Sequence, residues 1–365
     1  MQSPVIPYID PLPLPAPYWL FKVLLIVTFV LHLLAMNTMF GGSLIALIAR
    51  CKSAKSEHYA RLAHDLGKYV PSLLAATITL GIAPLLFAQV IYGHLFYTST
   101  IVMAWPWFSV LVLLMLAYYG FYAVAFKQNG STAVRWLATS SALFIFVIGF
   151  IYTNNMTLML TPEKWMPLYQ GDPSGWNLNW DEATLAPRYL HFVLAALAVA
   201  GLLVAGLGFW QWSKDRAYAS FLLQTGGKWF AYVNMAQIVI GLWFVVALPK
   251  PLMMLMMGKN FIQTLLFAVG VLVALLLIVL MVRALKQPDP RKGVLNSMVI
   301  TAVLVVLMAV QRDLLRDSYL ASYFKPGQLP VQTQWDVLLL FLFLFVAGVA
   351  LWIVMMKRYF KAGAA

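Results

Sequence analysis

The sequence predicts an all-α, polytopic membrane protein with about nine transmembrane helices. Three observations predict it. Hydrophobic residues make up 62% of the 365-residue chain, and the mean hydropathy is +0.83. Only 10% of the residues are charged, against about 25% in a soluble domain. Apolar runs of about 18 residues or more recur along the whole length, each long enough to cross a bilayer.

The chain divides into an extended arm (1–17, with six prolines), a transmembrane domain (18–358) and a short tail (359–365). Nine spans are predicted at 18–49, 67–93, 100–126, 132–160, 187–212, 228–250, 260–284, 293–316 and 334–358. The longest connection, 161–186, is rich in Trp, Pro and Gly and carries four acids. It is expected to lie over one face, with its tryptophans at the headgroup level.

Orientation follows from Lys and Arg. Arg50, Lys52, Lys55, Arg61, Lys68, Lys127, Arg135, Lys214, Arg216, Lys228, Arg283, Lys286, Arg291, Lys292, Lys357, Arg358 and Lys361 fall on one side, 17 of the 25 basic residues. That side is expected to be cytoplasmic, which puts the N-terminus outside and the C-terminus in the cytoplasm. The formal net charge of +13 is therefore a topology signal, spread over short loops, and no nucleic-acid partner is expected. The lone Cys51 excludes an intrachain disulfide, and no C-x-x-C-H motif is present to attach a c-type haem. No basic n-region with a short apolar h-region opens the chain, so no cleavable signal peptide is expected. No sequence repeat stands out. Ala198, Gly201, Ala205 and Gly208 share one helix face, where another helix approaches closely.

The candidate functional residues are polar groups in apolar surroundings. "TFVLHLLAMNTMFGG" (28–42) sets His32 inside the first span. Burying such a ring without a hydrogen bond costs roughly 2–7 kcal/mol, so it needs a partner or a metal. His94 ends the second span in "QVIYGHLFYTST", and His191 lies one turn into the fifth in "APRYLHFVLAAL". These two lie at similar depth, with His32 deeper. Each is either a helix–helix hydrogen bonder or a ligand to haem iron. His58 and His64, beside a basic loop, read as solvated surface residues.

No Asp or Glu falls in the middle of a span; Asp313, Asp317 and Asp336 read as helix-end residues on the outer side. Asn37, Gln89, Asn154 and Asn155 read as interhelical hydrogen bonders. In "MAVQRDLLRDSYL", Arg312 suits a haem propionate, as does Arg188, three residues before His191. Snorkelling to the interface is the other reading for both, and the favoured one for Arg316. The methionines of "KPLMMLMMGK" (250–259) read as adaptable packing.

In order and spacing these features resemble subunit I of the cytochrome bd family of quinol oxidases, as a divergent branch. The resemblance rests on His32 followed by "NTMFGGSLIAL", on "GIAPLLFAQVIYG" (81–93), on "YTNNMTLM" and on "RYLHF". It implies nine helices with the N-terminus outside, His32 as ligand of the active-site haem and His191 as ligand of the low-spin b haem. It also matches Arg312 in "VQRDLLRD" to the family's outer arginine. The departures are as informative. "WPWFSVLVLLMLAYYGF" lacks the family's two helix-3 glutamates. The helix-8 glutamate, the methionine that completes the low-spin site and the long quinol loop have no match.

The expectation is a haem-b electron-transfer subunit of a prokaryotic cytoplasmic membrane. It would carry one or more haems on His32 and His191, with His94 as a further ligand and Arg312 and Arg188 on the propionates. It would pass electrons between the quinone pool and an outer-face c-type cytochrome or other redox partner, in complex with other membrane subunits. The alternatives are a terminal quinol:O2 oxidoreductase of the bd type, and a haem-free structural or transport subunit.

Overall fold

The computed structural model describes residues 13–127 and 131–362. The tip of the loop at 128–130 and most of the predicted arm lie outside the described residues. Within them eleven α-helices run in order: α1 (Tyr18–Lys52), α2 (Glu57–Val102), α3 (Ala104–Lys127), α4 (Thr132–Met159), α5 (Trp165–Gly171), α6 (Leu185–Gln211), α7 (Arg216–Ala247), α8 (Lys250–Met254), α9 (Phe261–Leu285), α10 (Arg291–Leu320) and α11 (Trp335–Ala362), all among the described residues. Among the described residues nine are long and apolar enough to span a membrane: all but the short α5 and α8. The chain is a polytopic, all-helical membrane protein. The face where α1 begins is called the N-side below, and the opposite one the basic side.

The spans are longer than their apolar runs. At 1.5 Å per residue, the 46-residue α2 is about 69 Å long, more than twice the hydrocarbon thickness. Its first turns, carrying His58 and His64, are therefore helix and not loop, a correction to the predicted start at residue 67. His64 is exposed, and His58 packs its ring on Phe221 at 5.2 Å. At the other end α2 continues to Val102, so His94 lies inside the helix and does not end it. The helix is broken in geometry at Tyr92 (φ −121°, ψ 23°). Helix α10 likewise runs to Leu320, which places Asp313 and Asp317 within its last two turns.

α1 to α4 pack as one group and α6, α7, α9 and α10 as another; α1 joins them by contacting both α6 and α10. Glycines allow the closest approaches. A Cβ on Gly201 would meet Trp229 Cβ at 2.8 Å, and one on Gly208 would meet the Ala219 oxygen at 2.8 Å. The small-residue face of α6 is thus its seam with α7, as the spacing predicts. Ser131, Asp215 and Asn260 cap α4, α7 and α9, accepting from the main-chain N–H three residues on.

The connection between α4 and α6 is fastened over the N-side. Asn179 N–H donates to Asn154 Oδ1 at 3.0 Å, and Asn177 Nδ2 donates to the Val102 oxygen at 3.0 Å. Trp176 and Trp180 are exposed there, but Trp165 is buried and donates to the Leu158 oxygen at 2.9 Å. The headgroup reading is corrected for that one tryptophan. On the same side Leu14 N–H donates to the Pro330 oxygen at 2.7 Å, so the end of the arm pairs with the segment that leads into α11. α11 itself is exposed along nearly its whole length.

Candidate functional site on the N-side

His32 projects from α1 onto α2. Its Nδ1 lies 3.1 Å from the main-chain oxygen of Thr77. A carbonyl only accepts, so Nδ1 carries the proton and donates; Nε2 holds the lone pair. Gly81, one turn further along α2, makes the room: a Cβ there would stand 2.9 Å from the imidazole. A ring fixed through Nδ1–H with a free Nε2 is the arrangement of a metal-ligating histidine.

His191 on α6 faces α7 between Gln237 and Gly241. The Gln237 amide donates to His191 Nε2 at 3.1 Å, while His191 Nδ1 and Gln237 Oε1 are buried without a partner among the described residues. His191 is therefore anchored through the nitrogen a metal would use. His94 Nε2 is also buried without a partner, and its ring stands edge-on to Phe324 at 4.6 Å. The three histidines thus lie on three different neighbours: α2, α7 and the turn after α10.

The arginines converge. Arg188, Arg312 and Arg316 line one N-side cavity with Met156, Met159, Leu160, Leu315 and Tyr319. Arg312 lies over the Phe29 ring at 4.6 Å, and Phe29 is one turn before His32. Arg188 lies over Phe244 at 4.9 Å and is itself one turn before His191. Neither has a carboxylate within 4 Å among the described residues, and Arg188 Nε is buried without a partner. Glu182, near Arg188 in sequence, is taken by Lys164 at 3.1 Å and by the Thr184 hydroxyl at 2.9 Å.

Arg316 does not snorkel. It is buried and donates to Asp313 Oδ1. The physical reason is Asp313, itself buried, which gives the guanidinium an ionic partner inside the protein. Lys22 of α1 then pairs with Asp313 at 2.5 Å and with Asp317 at 2.8 Å, and Tyr92 Oη donates to Asp317 Oδ1 at 2.5 Å. This network, absent from the sequence reading, ties α1, α2 and α10 together. Asp313 and Asp317, in the last two turns of α10, are members of it. Beyond it, Tyr323 Oη donates to Glu163 Oε2 at 2.8 Å; burial first, and then Glu163, push that phenol up to about 12.

Asn155 Oδ1 accepts from Ser99 Oγ at 3.4 Å, an interhelical bond as expected. Asn37 Oδ1 and both amide atoms of Gln311 are buried without partners among the described residues.

A haem b asks for an imidazole with a free Nε2 and cations for two propionates. His32 meets the first demand as it stands. Arg188 and Arg312, half-buried cations with no carboxylate within 4 Å among the described residues, suit the second. His191 meets the first only by exchanging its Gln237 bond for the iron. Among the described residues no cluster of three His, Cys, Asp or Glu is placed to hold a bare metal ion.

No family model matches the chain, and no curated protein matches it in sequence. Among solved structures it is similar to the bd oxidase from Geobacillus thermodenitrificans, with a TM-score of 0.68 and 14% identity. The match covers 95% of this chain and 100% of that one. The similarity is one of fold, over nearly the whole of both chains.

Proposed function

We propose that the chain is a haem-b-binding electron-transfer subunit of a prokaryotic cytoplasmic membrane. With the 17 basic residues in the cytoplasm, the N-side is the outer face. The observation that carries the reading is the pairing of His32 with Thr77 across a glycine gap, which leaves Nε2 as the one nitrogen free for iron. The bd-type fold supports it.

In this reading His32 and His191 would hold the haem iron and His94 is a further candidate. Arg312 and Arg188 hold the propionates, which would supply the two negative charges the cavity lacks. The bound haem supplies a one-electron Fe(III)/Fe(II) couple. The protein's part is to hold the imidazoles, keep water from the iron and compensate the carboxylates. Electrons pass between the quinone pool and an outer-face c-type cytochrome or other redox partner. The exposed α11 and the wide apolar faces suit burial against lipid and other membrane subunits. α3 holds no Asp or Glu, so O2 reduction lacks the proton-carrying acids of the resembled family. Oxygen uptake with a quinol donor distinguishes the terminal-oxidase reading.

The test is a pyridine haemochrome assay with reduced-minus-oxidised spectra on wild type, His32→Ala, His191→Ala and His94→Ala. A b-type spectrum is expected, with about one haem equivalent lost in each of the first two variants. A flat spectrum from folded wild type leaves a haem-free membrane scaffold.

A further inference from the structure

Where α1, α2 and α3 meet at the basic side, the fold buries a cation without a counter-charge. Arg50, in the last turn of α1, keeps only 7% of its surface open. Gly67 of α2 makes room for its guanidinium: a Cβ there would stand 3.4 Å from Arg50 Nη2 and 3.9 Å from Val124 Cγ1 of α3. The Arg50 main-chain oxygen accepts from Ser53 Oγ at 2.8 Å. The guanidinium itself has no carboxylate within 4 Å and no hydrogen-bond acceptor among the described residues. Asp65, two residues before Gly67, is committed elsewhere: it accepts from Tyr218 Oη at 2.8 Å and meets His64 Nδ1 at 3.4 Å. A buried charge left in this way is costly until a counter-ion reaches it.

We propose that Arg50 binds the phosphodiester of an anionic phospholipid, phosphatidylglycerol in the simplest case, drawn from the leaflet on the basic side. The site goes beyond the haem reading above and does not depend on it.

Charge, depth and shape choose that occupant. A planar guanidinium matches a pair of phosphate oxygens. Beside it Lys68, next to Gly67, and Lys127, one turn beyond Val124, are exposed, so the surroundings favour a headgroup with net negative charge. Arg50 lies two residues from the end of α1, where an apolar run gives way to the headgroup level. From there the seam between α2 and α3 continues inward as an open groove of about 350 Å³, lined by Ala75 and Ile78 of α2 and by Leu114, Met115 and Tyr118 of α3. At 1.5 Å per residue, Ala75 lies about 12 Å deeper than Gly67, and Tyr118 about 9 Å deeper than Val124. An acyl chain hanging from a phosphate at Arg50 would lie along this groove. A soluble anion would use the arginine and leave the groove unfilled.

The test is native mass spectrometry of the purified full chain, titrated with phosphatidylglycerol or phosphatidylcholine, with and without excess inorganic phosphate. Wild type is expected to bind one phosphatidylglycerol about tenfold more tightly than phosphatidylcholine, and to keep it in the presence of phosphate. Arg50→Gln is expected to lose that preference. Arg50→Lys is expected to retain part of it, because the charge stays and the fork is lost. Lys286→Gln, which removes an exposed basic-side charge just past α9, is expected to behave as wild type. Photo-crosslinking of wild type with a phosphatidylglycerol that carries a diazirine on its headgroup needs no variant to fold, and is expected to label residues 46–70 and 117–127. Equal affinity for the two lipids, wild-type preference in Arg50→Gln, or labelling confined to other segments overturns the proposal. Displacement of the lipid by inorganic phosphate overturns it in favour of a soluble-anion site.

Discussion

Lys22 Nζ on α1 stands 2.5 Å from Asp313 Oδ2 on α10, joining helices that lie nearly 300 residues apart in the chain. The pair closes the bundle, because α10 belongs to the second helix group and α1 to the first. Removing one member of a buried pair leaves the other charge uncompensated, at a cost of about 3–5 kcal/mol. Lys22→Met is therefore expected to lower thermal stability in detergent by about that amount, because Asp313 and Asp317 lose a shared cation. Lys22→Met with Asp313→Leu and Asp317→Asn is expected to recover part of the loss, since fewer charges then stay buried alone. Equal melting temperatures for wild type and Lys22→Met would show the pair to be energetically idle.

Gly81 makes a second prediction. Its missing side chain is what admits the His32 ring: a Cβ would sit 2.9 Å from Cε1 and Nδ1. Gly81→Val is expected to cost about 1–3 kcal/mol by overpacking and to reduce haem content together with stability. Gly42, on the same helix as His32, is the comparison, because a Cβ there meets nothing within 4 Å. Gly42→Ala is expected to be neutral or to stabilise by up to about 1 kcal/mol, through lower unfolded-chain entropy. Normal haem content in a destabilised Gly81→Val protein would separate His32 from the cofactor.

The spans were legible in the sequence because a bilayer imposes one pattern, an apolar run of fixed minimum length. Their ends were not. Residues 57–66 hold Glu57, Arg61 and Asp65 with two histidines, so hydropathy drops, yet the backbone stays helical. The charges at Asp313 and Asp317 likewise drew the predicted end of α10 to residue 316, four residues short of Leu320. What the sequence does not carry is which charge meets which. Lys22 reads as one cation near the start of a span, and only the fold brings α10 to it. Of the candidate site, His32, His191, Arg188 and Arg312 were singled out from residue type and span position, while the convergence of the two arginines on one cavity was not. The partners were not: Thr77 acts through its main-chain oxygen, which has no sequence signature, and Gln237 is one amide among several.

Asp215 supplies a prediction about pH at the basic side, away from the candidate site. Its Oδ1 accepts from Tyr218 N–H at 3.0 Å as the cap of α7, and its Oδ2 pairs with Arg61 at 2.5 Å. The main-chain bond from Tyr218, and after it Arg61, hold its carboxyl below the usual carboxylate range. The folded protein thus binds that proton less readily than the unfolded chain. The stabilisation is present above the unfolded value, near 3.9 for a free Asp, and is lost as pH falls through the folded one. Asp215→Ala is expected to melt at a lower temperature than wild type at about pH 7 and to close that gap as pH falls below the unfolded value and the wild-type carboxyl takes up its proton. Asp215→Asn keeps an acceptor oxygen for the cap and forfeits the ion pair. It is expected to fall between the two at about pH 7, closer to wild type if the cap outweighs the exposed pair, as surface ion pairs are weak. A gap between wild type and Asp215→Ala that stays constant across the titration would mean that α7 begins where it does without help from this charge.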